Sequence, residues 1–164
     1  MSGPADVIPE DGRPDDHPPV VGYAPGVYDL FHVGHLNLLR RARRSCDVLI
    51  AGVVSDEMAM RAKDRRPVVP LAERVEIVRA CRYVDDVFVE TQPDKLVTWE
   101  SVRFDVIFKG DDWVGSALWT RLGAEFAERG VEVVYLPYTE HLSSRSLRPF
   151  EGIEEGRPLR AHDV

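Results

Sequence analysis

The chain has 164 residues, 44% of them hydrophobic and 30% charged, and 21 Lys and Arg against 28 Asp and Glu give a formal net charge of −7. That is the size and composition of one ordinary globular domain. The longest apolar run, Val48 to Val54, falls far short of the roughly 20 residues of a membrane helix, and the N-terminus has no basic segment followed by an apolar core, so neither a span nor a secretory signal is expected.

The two cysteines, Cys46 and Cys81, sit in apolar-patterned segments without the paired spacing of a zinc site. They read as buried, reduced thiols, which places the protein in the cytoplasm. An acidic total ordinarily argues against polyanionic partners, but the charge is unevenly spread. Residues 1–19 hold five prolines, five acids and a single arginine and offer little to bury, the composition of a disordered tail. Residues 151–164 form a second acidic tail. Together the tails carry −6 of the −7, and the core domain, 20–150, keeps −1. Within it, basic residues gather at Arg40, Arg41, Arg43 and Arg44, and again at Arg61, Lys63, Arg65 and Arg66.

Taken in chain order, Val20 to Ala24 is a short apolar strand that ends in Pro25 and Gly26. Leu36 to Arg44 follows as a helix with Leu36, Leu39 and Ala42 on one face and arginines opposite. Asp47 to Ser55 is continuous and β-branched, as in a strand buried on both faces of a parallel sheet. Pro70 opens a helix carrying Leu71, Val75 and Val78 that ends near Arg82, and Arg61 to Arg66 is left as a long loop before it. A strand at Asp86–Glu90, a helix at Lys95–Val102 and a strand at Asp105–Lys109 come next. A helix marked by Leu118, Leu122 and Phe126 stops at Gly130, and Val131–Leu136 is the fifth strand. A last helical turn is expected from Ser143 to Phe150.

Strands alternating with helices of this length predict an α/β, Rossmann-like fold: an open parallel sheet of about five strands with helices on both faces. Ligands of such sheets bind beyond the carboxyl ends of the strands. Gly26 to His35 (GVYDLFHVGH) occupies that place after the first strand. His32 and His35 lie three apart with Gly34 between them, at the start of a helix whose N–H groups and dipole favour an anion. Gly26 and Gly34 leave room for a phosphate to approach the backbone. Two loop histidines could instead be merely solvated, or could hold zinc, but zinc needs further ligands and the sequence offers only distant ones such as His141.

GVYDLFHVGH resembles the G-x-[FY]-D-x-x-H-x-G-H signature of the cytidylyltransferase family within the nucleotidyltransferase superfamily. ERVEIVRACRYVDDV (Glu73–Val87), KGDDW (Lys109–Trp113) and VVYLPYTEHLSSRSLR (Val133–Arg148) are similar, in order and spacing, to the other segments of the bacterial glycerol-3-phosphate cytidylyltransferases. The resemblance implies transfer of CMP from CTP to a phosphate-type oxygen, with release of pyrophosphate and magnesium travelling with the CTP. It implies a homodimer. It puts His32 and His35 on the α-phosphate as catalytic donors, protonated or neutral, with Lys63 as a catalytic cation; Arg145, which the family pattern lacks, is expected as a second, in place of the arginine that relatives carry at position 138. Gly26, Val27, Tyr28, Asp29, Gly34, Gly110, Asp111, Asp112, Thr139, Leu142, Ser143 and Ser144 would bind the nucleotide. Lys63, Arg65, Arg66, Arg74, Lys95, Tyr138 and His141 would face a small anionic acceptor. The metal ligands are not assigned. Asp29 reads equally as a turn residue, Asp111 and Asp112 as a helix cap with an acidic first turn, and Arg82 as a subunit contact.

The C-terminal segment departs from the family's R-T-E-G-I-S-T-T pattern. Tyr138 replaces the arginine, His141 the glycine, and Ser144-Arg145 the two threonines. The departure admits acceptors other than glycerol 3-phosphate, including phosphonate acids such as phosphonoformate. An ATP-using adenylyltransferase and a non-catalytic nucleotide-binding module are the other readings. A nucleic-acid surface at Arg40 to Arg44 is disfavoured by the near-neutral core and the lack of an aromatic platform, so neither nucleic acid nor a membrane is an expected partner.

Overall fold

The computed structural model of the chain describes residues 17–137 and Thr139. The predicted helical turn at Ser143–Phe150 and nearly all of both acidic tails lie outside them. The elements are β1 (Val21–Gly26), α1 (Val33–Arg43), β2 (Val48–Val54), α2 (Asp56–Lys63), α3 (Leu71–Arg79), β3 (Asp86–Glu90), α4 (Lys95–Val102), β4 (Val106–Gly110), a 3₁₀ turn at Asp111–Trp113, α5 (Ala117–Ala127) and β5 (Glu132–Leu136). All strand pairs are parallel, in the order β3-β2-β1-β4-β5. This is the Rossmann-like sheet that the alternation of strands and helices predicts. Among the described residues no helix is long and apolar enough to cross a membrane.

Successive side chains on a strand point to opposite faces, so neighbours in sequence enter different cores. Ala24 and Phe108 pack with Leu39, Ala42 and Val78 on the α1/α3 face. Tyr23 and Ile107 pack with Phe104, Trp119, Leu122 and Phe126 on the α4/α5 face. β1 pairs with β2 from Val21↔Val48 to Gly26↔Val53, but with β4 only at Gly22↔Val106 and Tyr23↔Ile107. Past Tyr23 the β1 and β4 strands part, and Pro25, with no N–H, cannot donate across the gap. The chain leaves β1 for one face and β4 for the other, so this opening is the topological switch point where ligands of such sheets bind.

Several boundaries differ from expectation by one to three residues. Strands β2 and β4 begin one residue after Asp47 and Asp105, because these carboxylates accept from neighbouring N–H groups: Val20 N to Asp47 Oδ2 and Val21 N to Asp105 Oδ2, both 2.8 Å. Asp85 does the same for Leu49 N at 2.7 Å. Helix α1 begins at Val33, not Leu36, since the motif histidines form its cap. Helix α3 ends at Arg79, short of Arg82. The supposed loop before it is half helix: Ser55 caps α2 by accepting from Met58 N at 3.3 Å, and Asp64, in the left-handed region at φ 49°, ends it. Cys46 and Cys81 are free thiols but only half-buried.

Candidate active site

After β1 the chain turns through two left-handed residues, Tyr28 (φ 55°) and Leu30 (φ 48°), an uncommon pair for non-glycine residues and the kind of local strain that gathers at functional sites. The turn is held by the buried Tyr28, whose hydroxyl donates to Ala24 O at 2.7 Å. Its ring, with that of Phe31, packs against His35, each centroid 5.4 Å from the imidazole. A Cβ on Gly26 would lie 3.1 Å from the Tyr28 ring, so a side chain there would press on this packing.

His32 and His35 form a capping box, a role usually taken by Ser or Thr with Glu or Gln. Gly34 N donates to His32 Nδ1 at 3.0 Å and His32 N donates to His35 Nδ1 at 3.3 Å, with the ring centroids 4.0 Å apart. A neutral imidazole carries one proton, so an accepting Nδ1 leaves that proton on Nε2. Burial lowers the pKa of both rings, and for His35, with His32 and Lys63 adding to the effect against the pull of Asp29, it falls to about 4. At neutral pH both histidines are therefore uncharged Nε2–H donors, relaying the positive end of α1 outward. Of the two expected states, protonated or neutral, burial favours the neutral one in the ligand-free protein. Gly34 does not line the pocket, and its N–H is already used.

The depressed pKa has a testable sign. Because the unfolded chain binds a proton near pH 6.5 and folded His35 only near 4, stability should fall as pH drops through that interval. Histidine-resolved NMR titration should place one imidazole near pH 4 in the free protein and move it upward on addition of pyrophosphate. A pair titrating at the ordinary value, unmoved by the anion, would contradict the capping geometry.

The histidines open into a cavity of about 350 Å³ at the switch point. Its wall brings together Gly26, Val27, Tyr28, Asp29, His32 and His35 from the β1–α1 segment. Lys63, Arg65 and Arg66 come from the end of α2 and beyond, Lys95 from the start of α4, Gly110 from the end of β4 and Asp112 from the turn after it. Asp111 is exposed outside this wall, and Thr139 sits beside α1, accepting from Asn37 Nδ2 at 3.4 Å. Tyr138, His141, Leu142, Ser143, Ser144 and Arg145 lie outside the described residues. Arg82 is exposed beside the Tyr83 ring, away from the cavity. Of the arginines on α1, Arg41 donates to Pro137 O and Arg43 to Cys46 O, both at 2.6 Å, while Arg40 and Arg44 are exposed.

Arg74 requires a correction. It was expected to face the acceptor, but it is fully buried and its guanidinium is consumed by four acceptors: Val69 O (2.9 Å), Val27 O (2.5 Å), Val54 O (2.9 Å) and Asp56 Oδ1 (2.5 Å). It ties the β1–α1 segment, the end of β2, the start of α2 and the loop before α3 to one point. Asp29 works beside it, its carboxylate accepting from Val68 N at 3.0 Å and Val69 N at 2.9 Å. These two residues fix the loop that carries Arg65 and Arg66 over the cavity.

Lys95 is positioned by a second clip. Its Nζ meets Glu90 Oε2 at 2.5 Å, and the buried Tyr23 hydroxyl donates to Glu90 Oε1 at 2.7 Å. The phenol reaches Glu90 across β2, over Gly52, where any Cβ would collide with it. Sequence reasoning missed Lys109 and Trp113 in the cavity wall, although both stand in the KGDDW segment. The place of Lys109 at the end of a strand beside the switch point was the available signal. Among the described residues no three His, Cys, Asp or Glu are grouped to hold a metal ion.

Residues 23–150 match the family model described as cytidylyltransferase-like. The chain belongs to the cytidylyltransferase-like family. It is 33% identical over 130 residues to the glycerol-3-phosphate cytidylyltransferase of Bacillus subtilis, covering 75% of this chain and 90% of that protein. It is 37% identical over 114 residues to the FAD synthase of Pyrococcus abyssi, covering 69% and 77% respectively. With the bifunctional protein HldE of Streptomyces coelicolor it shares 42% identity over 135 residues, 80% of this chain but 28% of that longer protein. In fold it resembles the lipopolysaccharide core biosynthesis protein of Thermoplasma volcanium, with a TM-score of 0.64 at 23% identity over 74% of this chain and 98% of that one. The glycerol-3-phosphate cytidylyltransferase, FAD synthase and HldE relatives belong to one nucleotidyltransferase superfamily, and this chain is a nucleotidyltransferase of it.

Proposed function

We propose that this protein transfers CMP from CTP to a small phosphorylated or phosphonate acceptor. The observation that carries the reading is the pair His32 and His35, each accepting a backbone N–H at Nδ1, in the wall of a cavity also lined by Lys63, Arg65, Arg66, Lys95 and Lys109. An acceptor oxygen attacks the α-phosphorus in line, a P–O bond forms to it, and the bond to the bridging oxygen of the β-phosphate breaks with its electron pair leaving on pyrophosphate. Charge grows on the α-phosphate oxygens as this happens, and His32 and His35 donate to them more strongly in the transition state than before it. The lysines and arginines hold the triphosphate and acceptor anions together, so that proximity does most of the remaining work.

Magnesium fits this site as a passenger of CTP. Asp29 is committed to backbone N–H groups, which leaves Asp112 as the cavity carboxylate able to face a cation held chiefly by phosphate oxygens and water. When bound, the metal offsets charge on the departing phosphates. The proposal includes a homodimer, to be checked by light scattering, and a cytoplasmic location.

The cytosine base and the glycerol 3-phosphate type of acceptor rest on similarity to the Bacillus subtilis protein. A second reading, adenylyl transfer, is favoured by similarity to FAD synthase, whose product is an adenine dinucleotide. Incubating the purified chain with each nucleoside triphosphate, glycerol 3-phosphate, ethanolamine phosphate and phosphonoformate, and following pyrophosphate, separates them. CTP-dependent release with an acceptor is expected. Release with ATP alone would replace cytidylyl by adenylyl transfer, and tight CTP binding without release in any mixture would mark a non-catalytic module.

A further inference from the structure

The cations of the cavity are not equivalent. Lys95 is neutralised by its contact with Glu90, whereas Lys109 has no carboxylate within ion-pair distance among the described residues. Its half-buried ammonium lies instead over two indole faces, 4.7 Å from the Trp113 centroid and 5.1 Å from that of Trp119. Trp119 is a core residue of the α4/α5 face, while Trp113 is 40% exposed beside the cavity. Two residues before Lys109, Ile107 packs into the α4/α5 core, and strand alternation sends Lys109 to the same side. The Tyr23–Glu90–Lys95 clip shares that side. The histidines cap α1, whose core residues lie on the opposite side. The cavity is therefore divided by the sheet edge: imidazole donors enter from one face, and an unpaired ammonium with a paired one beside it enters from the other.

Resting on the proposed transfer, we propose that Lys109 selects the acceptor: with Lys95 it forms an anion subsite on the α4/α5 side that takes phosphomonoesters or phosphonates lacking a cationic group. An anion brought there gives Lys109 the direct ion-pair partner that Glu90 and Asp112, acting only from a distance, do not provide. An acceptor with its own ammonium, such as ethanolamine phosphate, would bring a like charge to a half-buried cation, and that repulsion rejects it. The exposed face of Trp113 is left to cover the uncharged part of the acceptor.

Burial, reinforced by Lys95 and Lys63 and opposed by Glu90 and Asp112, lowers the Lys109 pKa to about 8. The cation is present below that pH and lost above it, so acceptor capture should decline on the alkaline side. The test compares wild type with Lys109→Met, which keeps the apolar stem, and Lys109→Arg, which keeps the charge at any accessible pH. In Lys109→Met, kcat/KM for glycerol 3-phosphate should fall about tenfold or more, as for loss of a hydrogen bond to a charged group, with KM for the nucleotide nearly unchanged. The preference for glycerol 3-phosphate over ethanolamine phosphate should narrow by a similar factor. The alkaline decline near pH 8 should vanish in Lys109→Met and move upward in Lys109→Arg. Calorimetric binding of inorganic phosphate alone, at pH 7 and 9.5, gives a readout that needs no turnover: wild type should bind at pH 7 and weaken at 9.5, and Lys109→Met should bind weakly at both. Phosphate binding that depends on Lys109 in a chain that turns over no nucleotide would uphold the subsite and reject the transfer reaction. The subsite is overturned if Lys109→Met raises the nucleotide KM or weakens pyrophosphate instead, which would assign Lys109 to the triphosphate. It is equally overturned if the variant melts well below wild type and loses all ligands together, which would make the residue structural.

Discussion

His32→Asn is expected to fold like wild type and to lose about 10²–10³-fold in turnover. The reasoning separates two jobs that one side chain performs. As the cap of α1, His32 accepts from Gly34 N at 3.0 Å, and Asn is among the best residues for that task. As a donor toward the cavity it presents Nε2–H, which lies beyond the reach of the shorter Asn amide. Asn thus restores the cap and removes the donor, and removing one preorganised donor from a developing oxyanion costs about 10²–10³ in kcat. His32→Ala loses both, and should add a stability loss of about 1 kcal/mol. Since the lost interaction strengthens in the transition state, kcat should fall with little change in the nucleotide KM. The double variant with His35→Ala should lose far less than the product of the two single effects, because the two donors serve one charge. Near-wild-type turnover in His32→Asn, at unchanged melting temperature, would remove the histidine from the chemistry.

The strands were legible because a parallel sheet buried on both faces selects long β-branched runs, and β2 is such a run. Their spatial order was not, since the sequence does not say that β1 ends between β2 and β4. Helix α2 escaped notice because only Ala59 of its eight residues is buried, which leaves no apolar stripe to count. The histidine spacing announced a site, but the tautomer of each ring is set by a backbone N–H and its charge by burial, and only the folded turn supplies either. Arg74 misled for a related reason. Its match to an arginine of the family's segment at Glu73–Val87 put it beside the acceptor, and nothing local reveals that Val27, Val54 and Val69 will turn their carbonyls toward it. Lys109 shows the reverse error: a lysine at a strand end was passed over, although the position, rather than the residue type, carried the information.

Arg74→Met should cost about 3–5 kcal/mol of stability, well beyond the loss expected from His32→Ala. Met fills most of the volume, so the loss is not a cavity effect. It comes from leaving Asp56 without its cation and three carbonyls without a donor in a place that water does not reach, since Arg74 itself is fully buried. Arg74→Lys should fall between, because one ammonium cannot serve four acceptors spread around a planar guanidinium. Asp56→Asn should cost least: its amide oxygen can still accept from Nη2, and Asp56 keeps some exposure, at 18%. Urea denaturation of the three variants should reproduce that order. Activity should suffer beyond the unfolded fraction, because the carbonyls that Arg74 gathers belong to the segments carrying His32 on one side and Arg65 and Arg66 on the other. A folded fraction of Arg74→Met would then show a raised KM for both substrates. If Arg74→Met instead were as stable as wild type and lost affinity for the acceptor alone, Arg74 would not be a buried bolt, and the acceptor contact suggested by the sequence would be restored.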